Sequence, residues 1–209
     1  MEFASANPSV IRSVKQRVLL NAWLRARAAP RPRVLPCIRD YQPDHIADEI
    51  PDMMGFDVAC SGNETRFLIT QEGERLAITY GNEHIEPARR TNRYLDDAID
   101  AIRYARVLPC YRTCLARKRP IYSIFMVEDS DGKEVSFERL LLPFGTADAV
   151  EQIVGSYKAI SIEGSFKINN LMAAKPKAPP VSVLKAVIDL DFVRSHVARD
   201  VSDDIIEID

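Results

Sequence analysis

The sequence lacks a long hydrophobic run, and it is poor in cysteine. No apolar stretch approaches the ~20 residues that a membrane-spanning helix needs, and the candidate VLLNAWL at 18–24 is short and flanked by arginines. Four cysteines in 209 residues do not make the dense disulfide framework of a small secreted domain. We therefore expect reduced thiols, a cytoplasmic location and no membrane partner.

The sequence also lacks a strong excess of either charge, since 28 Lys and Arg face 30 Asp and Glu. The distribution is uneven: residues 1–39 hold eight basic side chains and one acidic, whereas residues 181–209 hold three basic and seven acidic. A solvated basic helix face and a solvated acidic tail explain this asymmetry most simply. Two other interpretations stay open. One is an N-terminal surface for nucleic acid, which we disfavour. The other is a tail that orders on an unknown protein partner or adds to a sheet edge in its own dimer; its residues 181–193 are compatible with a strand or a short helix.

Catalytic and nucleotide-binding signatures are missing. The chain contains no Gly-x-Ser-x-Gly, no His-Glu-x-x-His, no phosphate-binding loop and no dinucleotide fingerprint. Cys110 and Cys114 stand at i, i+4, so a helix would present both on one face. A structural zinc needs four ligands, and no second Cys/His pair stands at a suitable spacing. We expect two buried structural thiols, no metal site and no enzyme activity; redox activity of the two thiols is left open.

Helical periodicity is clearest near the N-terminus. Asn7 and Pro8 supply a capping side chain and a proline at the first helical position. Apolar residues then recur at helical spacing: Ile11, Val14, Val18, Leu19, Ala22 and Trp23. The pattern predicts an amphipathic helix over 8–28, ended by a group of prolines.

The rest of the chain predicts a mixture of strands and helices. Two strands joined by SGNE precede a short helix that ends at Gly81, and a main helix capped by Asn92 should end or bend at Pro109. Its expected inward stripe is Leu95, Ile99, Ile102 and Val107. Three further strands with short connections predict an antiparallel meander. The five strand segments are 56–60, 65–70, 121–127, 135–142 and 152–162.

The segment FERLLLPFG, at 137–145, does not alternate between apolar and polar residues as a half-buried strand would. Burial on both faces explains this pattern, with Pro143 marking the end of the strand. Glu138 and Arg139 must then point to opposite faces. Whichever of them faces inward needs a partner, because an unpaired buried charge is costly. A polar anchor for a ligand and a surface cross-strand ion pair are both compatible with the sequence.

Taken together, the order of elements and five segments resemble a PAS domain, most closely the stand-alone bacterial PAS-like proteins of largely unknown function. The resemblance covers roughly residues 16–162. The segments are AWLRARAAPRPRVLP (22–36), IPDMMGFDV (50–58), RFLITQEGERLAITYG (66–81), FERLLLPFG (137–145) and VEQIVGSYKAIS (150–161). The fold class that this implies is α+β, a five-stranded antiparallel sheet with helices over one face and an N-terminal amphipathic helix.

The resemblance implies a domain division and a function. The N-terminal helix would occupy 1–30, the PAS-like domain 31–165, a proline-rich linker 166–180 and an acidic tail 181–209. Such domains sense a ligand or bind a partner, so we expect a signalling module without catalytic output that acts by ligand-modulated protein interaction or homodimerisation. A binding protein for a small apolar metabolite is the alternative, and a DNA-associated regulator that uses the basic helix is a third.

The resemblance also directs attention to particular residues. A haem sensor of this fold needs an axial ligand near the main helix, and residues 92–116 hold no His. A flavin photoreceptor needs an Asn-Cys-Arg type motif, which is absent. We therefore expect no haem or flavin, and a small organic ligand is the class that stays open. The candidate cavity residues are Phe67, Ile102, Tyr104, Phe125, Glu138, Arg139, Leu140 and Tyr157. The candidate dimer-helix residues are Ile11, Val14, Val18, Leu19 and Trp23.

Overall fold

A computed structural model of the chain describes residues 2–28, 33–61, 64–146, 148–172 and 180–190. Its strands are β1 (Ala4–Ala6), β2 (Met53–Ser61), β3 (Glu64–Glu72), β4 (Arg93–Tyr94), β5 (Ile121–Glu128), β6 (Glu134–Phe144), β7 (Gln152–Ile160) and β8 (Val181–Ile188). Its α-helices are α1 (Val14–Ala28), α2 (Ile46–Glu49), α3 (Glu74–Tyr80), α4 (Pro87–Arg90), α5 (Leu95–Ala98) and α6 (Ala101–Arg117). Within these ranges, no helix is long and apolar enough to cross a bilayer.

The strands of the described residues form one sheet in the order β1-β8-β5-β6-β7-β2-β3-β4. All neighbouring pairs are antiparallel except β1 and β8. The α+β class is therefore confirmed. Four of the five predicted strand segments lie within a strand of the sheet, and the fifth, 152–162, runs two residues past the end of β7. The sheet is larger than the five strands that were expected, because β1, β4 and β8 extend it.

Strand β8 corrects the predicted division of the chain, which began an acidic tail at residue 181. Residues 181–188 pair with β5, with Val187 opposite Ile121. A sheet that ended at β5 would leave a row of unpaired backbone groups on that strand, and β8 satisfies them while burying Ala186 and Ile188. Residues 173–179 and 191–209, which hold most of the predicted linker and tail, lie outside the described residues.

The main helix begins later than predicted. Asp100, not Asn92, caps α6, and its carboxylate accepts a hydrogen bond from the backbone N–H of Arg103 at 2.9 Å. Asn92 instead has a positive φ of 57° and precedes β4. Pro109 lies inside α6 and does not end it. Its side chain is on the solvent side, where water can satisfy the carbonyl that loses its helical partner.

The sheet separates two hydrophobic cores, one on each face. Helices α3, α5 and α6 cover the first face, which we call the inner face; its core includes Phe56, Phe67, Tyr111 and Phe137. Helix α1 covers the second or outer face, where Trp23 is fully buried. The Trp23 indole Nε1 donates to the carbonyl oxygen of Pro143 at 2.7 Å, and this bond ties α1 to β6.

Strand β6 is buried on both faces, as the pattern of residues 137–145 predicted. Odd-numbered side chains such as Leu141 belong to the inner core, whereas even-numbered ones such as Leu140 and Leu142 belong to the outer core. Pro143 does not end the strand, which continues to Phe144. Because β5 begins opposite Leu141, Pro143 lies where β6 is paired on one side only, a position at which a strand tolerates proline.

Candidate ligand-binding cavity

A cavity of about 60 Å³ lies between the inner face of the sheet and helices α5 and α6. Strands β2, β3, β5, β6 and β7 supply one wall, and the helices supply the other. Apolar and aromatic side chains dominate both walls, including Met54, Ile69, Leu95, Val107 and Phe125. Residues 166–172, which were predicted as linker, fold back over α3, and Met172 contributes to the wall.

Arg139 places a positive charge in this mostly apolar cavity. Its side chain points from β6 into the cavity, and the residue is 1% exposed. Two of its three guanidinium nitrogens, Nε and Nη1, have no hydrogen-bond partner in the part of the chain that the structure describes. Among the described residues no carboxylate oxygen lies within 4 Å of the guanidinium. An arginine does not lose its proton in a protein, so the cavity holds a buried charge without a counter-charge.

Tyrosines surround the Arg139 charge without neutralising it. The hydroxyls of Tyr111 and Tyr157 are hydrogen-bonded at 2.9 Å, and Tyr80 also lines the cavity. Burial raises the pKa of Tyr111 and that of Tyr157, although the nearby guanidinium acts in the opposite direction. Both are therefore neutral phenols at physiological pH.

Ring contacts offset only part of the cost of burying Arg139. The guanidinium carbon lies 5.5 Å from the ring centre of Phe125 and 5.7 Å from that of Tyr157. A desolvated cation–π contact stabilises by about 2 kcal/mol, whereas the desolvation of an ion costs several kcal/mol and is normally offset by a close opposite charge. The difference favours a site that an anionic group completes.

A second buried charge on the cavity wall does have a partner. The Glu72 side chain is 1% exposed and lies 3.7 Å from Arg93 Nη2, and the Asn82 amide donates to it at 3.4 Å. Burial raises the pKa of Glu72, while Asn82 and the charges of Arg93 and Arg90 act the other way. Glu72 and Arg93 therefore balance each other and leave Arg139 as the unbalanced charge.

Two further arginines stand at the helical side of the cavity. Arg103 forms an ion pair with Asp100, with Nε and Oδ2 2.7 Å apart, and Arg106 is exposed. Both line the cavity. Positive charge near an opening raises the local concentration of anions and speeds their arrival.

The neighbour of Arg139, Glu138, faces the opposite side of the sheet. It is also 1% exposed, and it accepts a hydrogen bond of 2.7 Å from the hydroxyl of Tyr122. The same hydroxyl accepts a hydrogen bond from the backbone N–H of Arg12, just before α1. Burial raises the pKa of Tyr122 and keeps its hydroxyl protonated. Glu138 is thus connected through the side chain of Tyr122 to the segment that immediately precedes α1.

Strand β7 makes similar connections. Tyr157 faces the cavity, while its neighbour Lys158 faces outward and forms ion pairs with Glu49 at 2.8 Å and Asp52 at 2.6 Å. Lys15 of α1 also binds Glu49, at 2.8 Å. Hydrogen bonds from the two lysines lower the pKa of Glu49, although burial, the largest single effect, acts to raise it. This network joins α1, α2 and the sheet.

A glycine in β7 makes room for the Tyr157 ring. A Cβ added at Gly155 would lie 2.8 Å from both the ring and the hydroxyl oxygen of Tyr157. Gly155 therefore lets the ring lie over its own strand and reach Tyr111. The close approach at this interior glycine is therefore that of the Tyr157 side chain.

The predicted cavity residues are distributed over three environments. Phe125, Arg139 and Tyr157 line the cavity, whereas Phe67 is buried in the inner core against Tyr111 and Tyr104 is partly buried beside that core. Three assignments need correction. Glu138 and Leu140 belong to the outer face, because the strand alternates. Ile102 is 66% exposed, because a helix capped by Asp100 turns it away from the sheet.

Sequence reasoning missed Tyr80 and Tyr111, which line the cavity from helices. With the helix start placed at Asp100, the spacing of Arg103, Val107 and Tyr111 would have predicted one inward stripe. Tyr80 stands immediately before Gly81, whose φ of 74° ends α3. Nothing in its local sequence distinguishes it from an ordinary core tyrosine.

The predicted dimer-helix residues mostly serve the chain's own core. Ile11, Leu19 and Trp23 are fully buried against the outer face of the sheet, and Val18 is partly buried. Val14 alone of the five is largely exposed, at 64%. The apolar side of α1 is therefore not free to pack against a second copy.

Cys110 and Cys114 are free thiols buried in the inner core. Both lie on the sheet side of α6, and burial raises the pKa of Cys114. Among the described residues, no three His, Cys, Asp or Glu side chains come close enough to hold a metal ion.

Comparisons with known proteins add no assignment. The chain matches no protein-family model, and no curated protein is detectably similar to it in sequence.

Proposed function

We propose that the chain is a PAS-like sensory module that binds a small ligand in the inner-face cavity and transmits the binding event to α1. The unpartnered, buried guanidinium of Arg139 carries this proposal. An uncompensated buried charge destabilises a fold, and such groups concentrate at functional sites. A ligand that supplies the missing partner explains its presence.

The architecture supports the PAS-like part of the proposal. Strands β2, β3, β5, β6 and β7 are contiguous and antiparallel in the middle of the sheet. Helices α3 to α6 are inserted between β3 and β5, and α3, α5 and α6 pack over one face. Five contiguous antiparallel strands with helices over one face support a PAS-like fold, and β1, β4 and β8 extend the sheet beyond those five strands. Fold alone does not establish function, so the cavity carries the argument.

The route from the cavity to α1 is short. Arg139 and Tyr157 are directly opposite each other on β6 and β7. Their neighbours are linked to the α1 region through one intermediate side chain each: Glu138 through Tyr122 to Arg12, and Lys158 through Glu49 to Lys15. Gln16 of α1 is fully buried and donates to the carbonyl oxygen of Ser156 at 3.0 Å. A shift of either strand on ligand binding must therefore alter the position of α1 on the outer face of the sheet.

The output is then a change in the surface that α1 and its flanking segments present to a partner protein or to a second copy. The chain's own sheet uses the buried side of α1, so a partner would contact its exposed side, which contains Val14 and the basic residues. Two of these are already paired: Lys15 with Glu49, and Arg25 with Asp44 at 3.6 Å. Pairing lowers the charge available to nucleic acid and favours a protein partner.

The alternative of a binding protein for a purely apolar metabolite has the apolar walls in its favour. It leaves the charge of Arg139 uncompensated, and we therefore rank it second.

Native mass spectrometry tests the proposal. Wild-type protein purified from cells without denaturation, or incubated with a metabolite extract, should carry an adduct that Arg139→Met lacks. Arg117→Met is the matched control, because Arg117 is exposed at the end of α6 and does not line the cavity. It should retain the adduct. An adduct that persists in Arg139→Met would refute the site, and the absence of any adduct in all three proteins would refute ligand binding.

A further inference from the structure

We propose that the ligand is a short-chain monocarboxylate whose carboxylate pairs with Arg139 and whose hydrocarbon part lies against the apolar wall. This inference rests on the proposed ligand-binding function and specifies its chemical class. Charge, shape and size each restrict the ligand, and each restriction comes from the cavity itself.

The charge of the cavity wall selects a monoanion. Arg139 has no carboxylate within 4 Å among the described residues, Glu72 faces Arg93 at 3.7 Å, and Arg103 is paired with Asp100. Arg106 is exposed and adds its charge only at the opening, so the buried wall has, among the described residues, an excess of one positive charge. A monoanion balances it, whereas a dianion would leave a buried negative charge and an amine would add a second positive one.

The shape of the guanidinium favours a carboxylate among monoanions. Guanidinium and carboxylate are both planar, and the carboxylate only accepts hydrogen bonds. Arg139 Nε and Nη1 both have hydrogens to donate; they lie on different edges of the guanidinium, so a carboxylate on either edge accepts from one of them. The hydroxyl pair of Tyr111 and Tyr157 and the side chain of Tyr80 stand beside the charge and offer further donors. An amide or an alcohol of the same size would fill the space but would not neutralise the charge.

Size restricts the hydrocarbon part. The cavity volume of about 60 Å³ is well below the ~150 Å³ of an apolar cavity that accepts benzene. Met54, Ile69 and Val107 provide an apolar surface beside the charge. On that scale the cavity holds about two to three non-hydrogen atoms, so the carboxylate fills it and the flexible side chains of Met54 and Met172 must move to admit the ethyl group of propionate, which is the probe.

The experiment measures thermal unfolding of the full chain with sodium propionate, with propionamide as the neutral isostere, and with sodium phosphate, all at constant ionic strength. A ligand that binds only the native state raises the melting temperature. At ~100 times the Kd, propionate should raise it by roughly 5–10 °C, and propionamide should not. Arg139→Met should lose the response and Arg117→Met should keep it. Arg139→Lys, which keeps the charge without the planar fork, should bind propionate about 10-fold or more weakly.

Other outcomes overturn the inference. Equal shifts with propionate and propionamide, or a propionate response that survives in Arg139→Met, would show that the carboxylate does not bind Arg139. A larger, Arg139-dependent shift with phosphate would replace the ligand class but leave the proposed function intact. If propionate causes no shift but native mass spectrometry finds an Arg139-dependent adduct, the monocarboxylate class is rejected and the proposed function stands. If there is neither a shift nor an adduct, both the ligand class and the proposed function are rejected. If Arg139→Met does not fold, Arg139→Lys decides the result.

Discussion

Glu138 and Arg139 are adjacent in β6, are both 1% exposed, and face opposite sides of the sheet. Glu138 has a hydrogen-bond donor in Tyr122, whereas Arg139 has two unpartnered nitrogens. Among the described residues neither side chain has an oppositely charged group within 4 Å. The two differ in hydrogen bonding: the Glu138 carboxylate has a donor in the protein, whereas the Arg139 guanidinium has donors left for a ligand.

This contrast predicts opposite effects of two neighbouring substitutions on the free energy of unfolding without ligand. Arg139→Met removes an uncompensated buried charge, and stability should stay equal or rise, by up to about 4 kcal/mol. Glu138→Leu leaves the Tyr122 hydroxyl without its acceptor and should cost about 1–3 kcal/mol. Urea denaturation measures both. If Arg139→Met instead costs about 3–5 kcal/mol, as the loss of one member of a buried ion pair does, Arg139 has a partner within the chain.

The close fit of Gly155 and Tyr157 predicts a non-additive pair of substitutions. Gly155→Ala places a methyl group against the Tyr157 ring and should cost about 1–3 kcal/mol. In a Tyr157→Ala background the same change meets an empty space, because the three nearest atoms all belong to Tyr157. The cost should then nearly vanish. A cost that is equal in both backgrounds would show that the ring is not the obstacle.

The position of α1 predicts a difference between two of its apolar residues. Leu19 is fully buried and Val14 is 64% exposed. Leu19→Ala should cost about 2–5 kcal/mol, whereas Val14→Ala should change stability by no more than about 0.5 kcal/mol. Protein concentration should not alter the Leu19→Ala result, because the contact lies within one chain. A cost that falls on dilution would assign Leu19 to an interface between copies.

The ion pairs of Glu49 predict a pH-dependent contribution to stability. Its pKa is lowered from the usual 4.5 by Lys15 and Lys158 against the opposing effect of burial. The unfolded chain therefore takes up the proton first as the pH falls, and the contribution of Glu49 is present above pH 4.5 and is lost below it, as the pH passes through the lowered pKa.

Glu49→Gln should accordingly destabilise the protein by about 1–3 kcal/mol at pH 7. The difference from wild type should shrink as the pH falls below 4.5. Urea titrations at pH 7, 5 and 3.5 measure the trend, and Glu83→Gln, at an exposed position, serves as the control. A difference that is independent of pH would mean that the Glu49 charge contributes nothing.

Sequence patterns predicted the strands well because each core strand has a strong apolar content and a turn at its end. For residues 181–193 the sequence left a strand and a short helix both open, because only the open edge of β5 decides that residues 181–188 join the sheet. The start of α6 was misplaced because Asn92 and Asp100 are both good caps, and the choice depends on tertiary packing.

The site could be predicted only in part. Alternation required Glu138 and Arg139 to face opposite sides, but which side faces the cavity depends on where α6 and α1 pack. Tyr80 and Tyr111 reach the cavity from helices that are distant in sequence from β6. No local sequence pattern indicates that side chains from such distant segments meet in one cavity. The missing partner of Arg139 is visible only once its whole surroundings are known.

Hydrogen exchange tests most directly whether the cavity is connected to α1. Amide exchange rates would be measured with propionate and with propionamide, in wild type and in Tyr122→Phe, which cannot donate to Glu138. In wild type, propionate should slow exchange both in β6 and β7 and at the start of α1, near Arg12 and Gln16. In Tyr122→Phe the effect near Arg12 should diminish while that in the strands remains. Slower exchange in the strands alone, with α1 unchanged in wild type, would contradict the account.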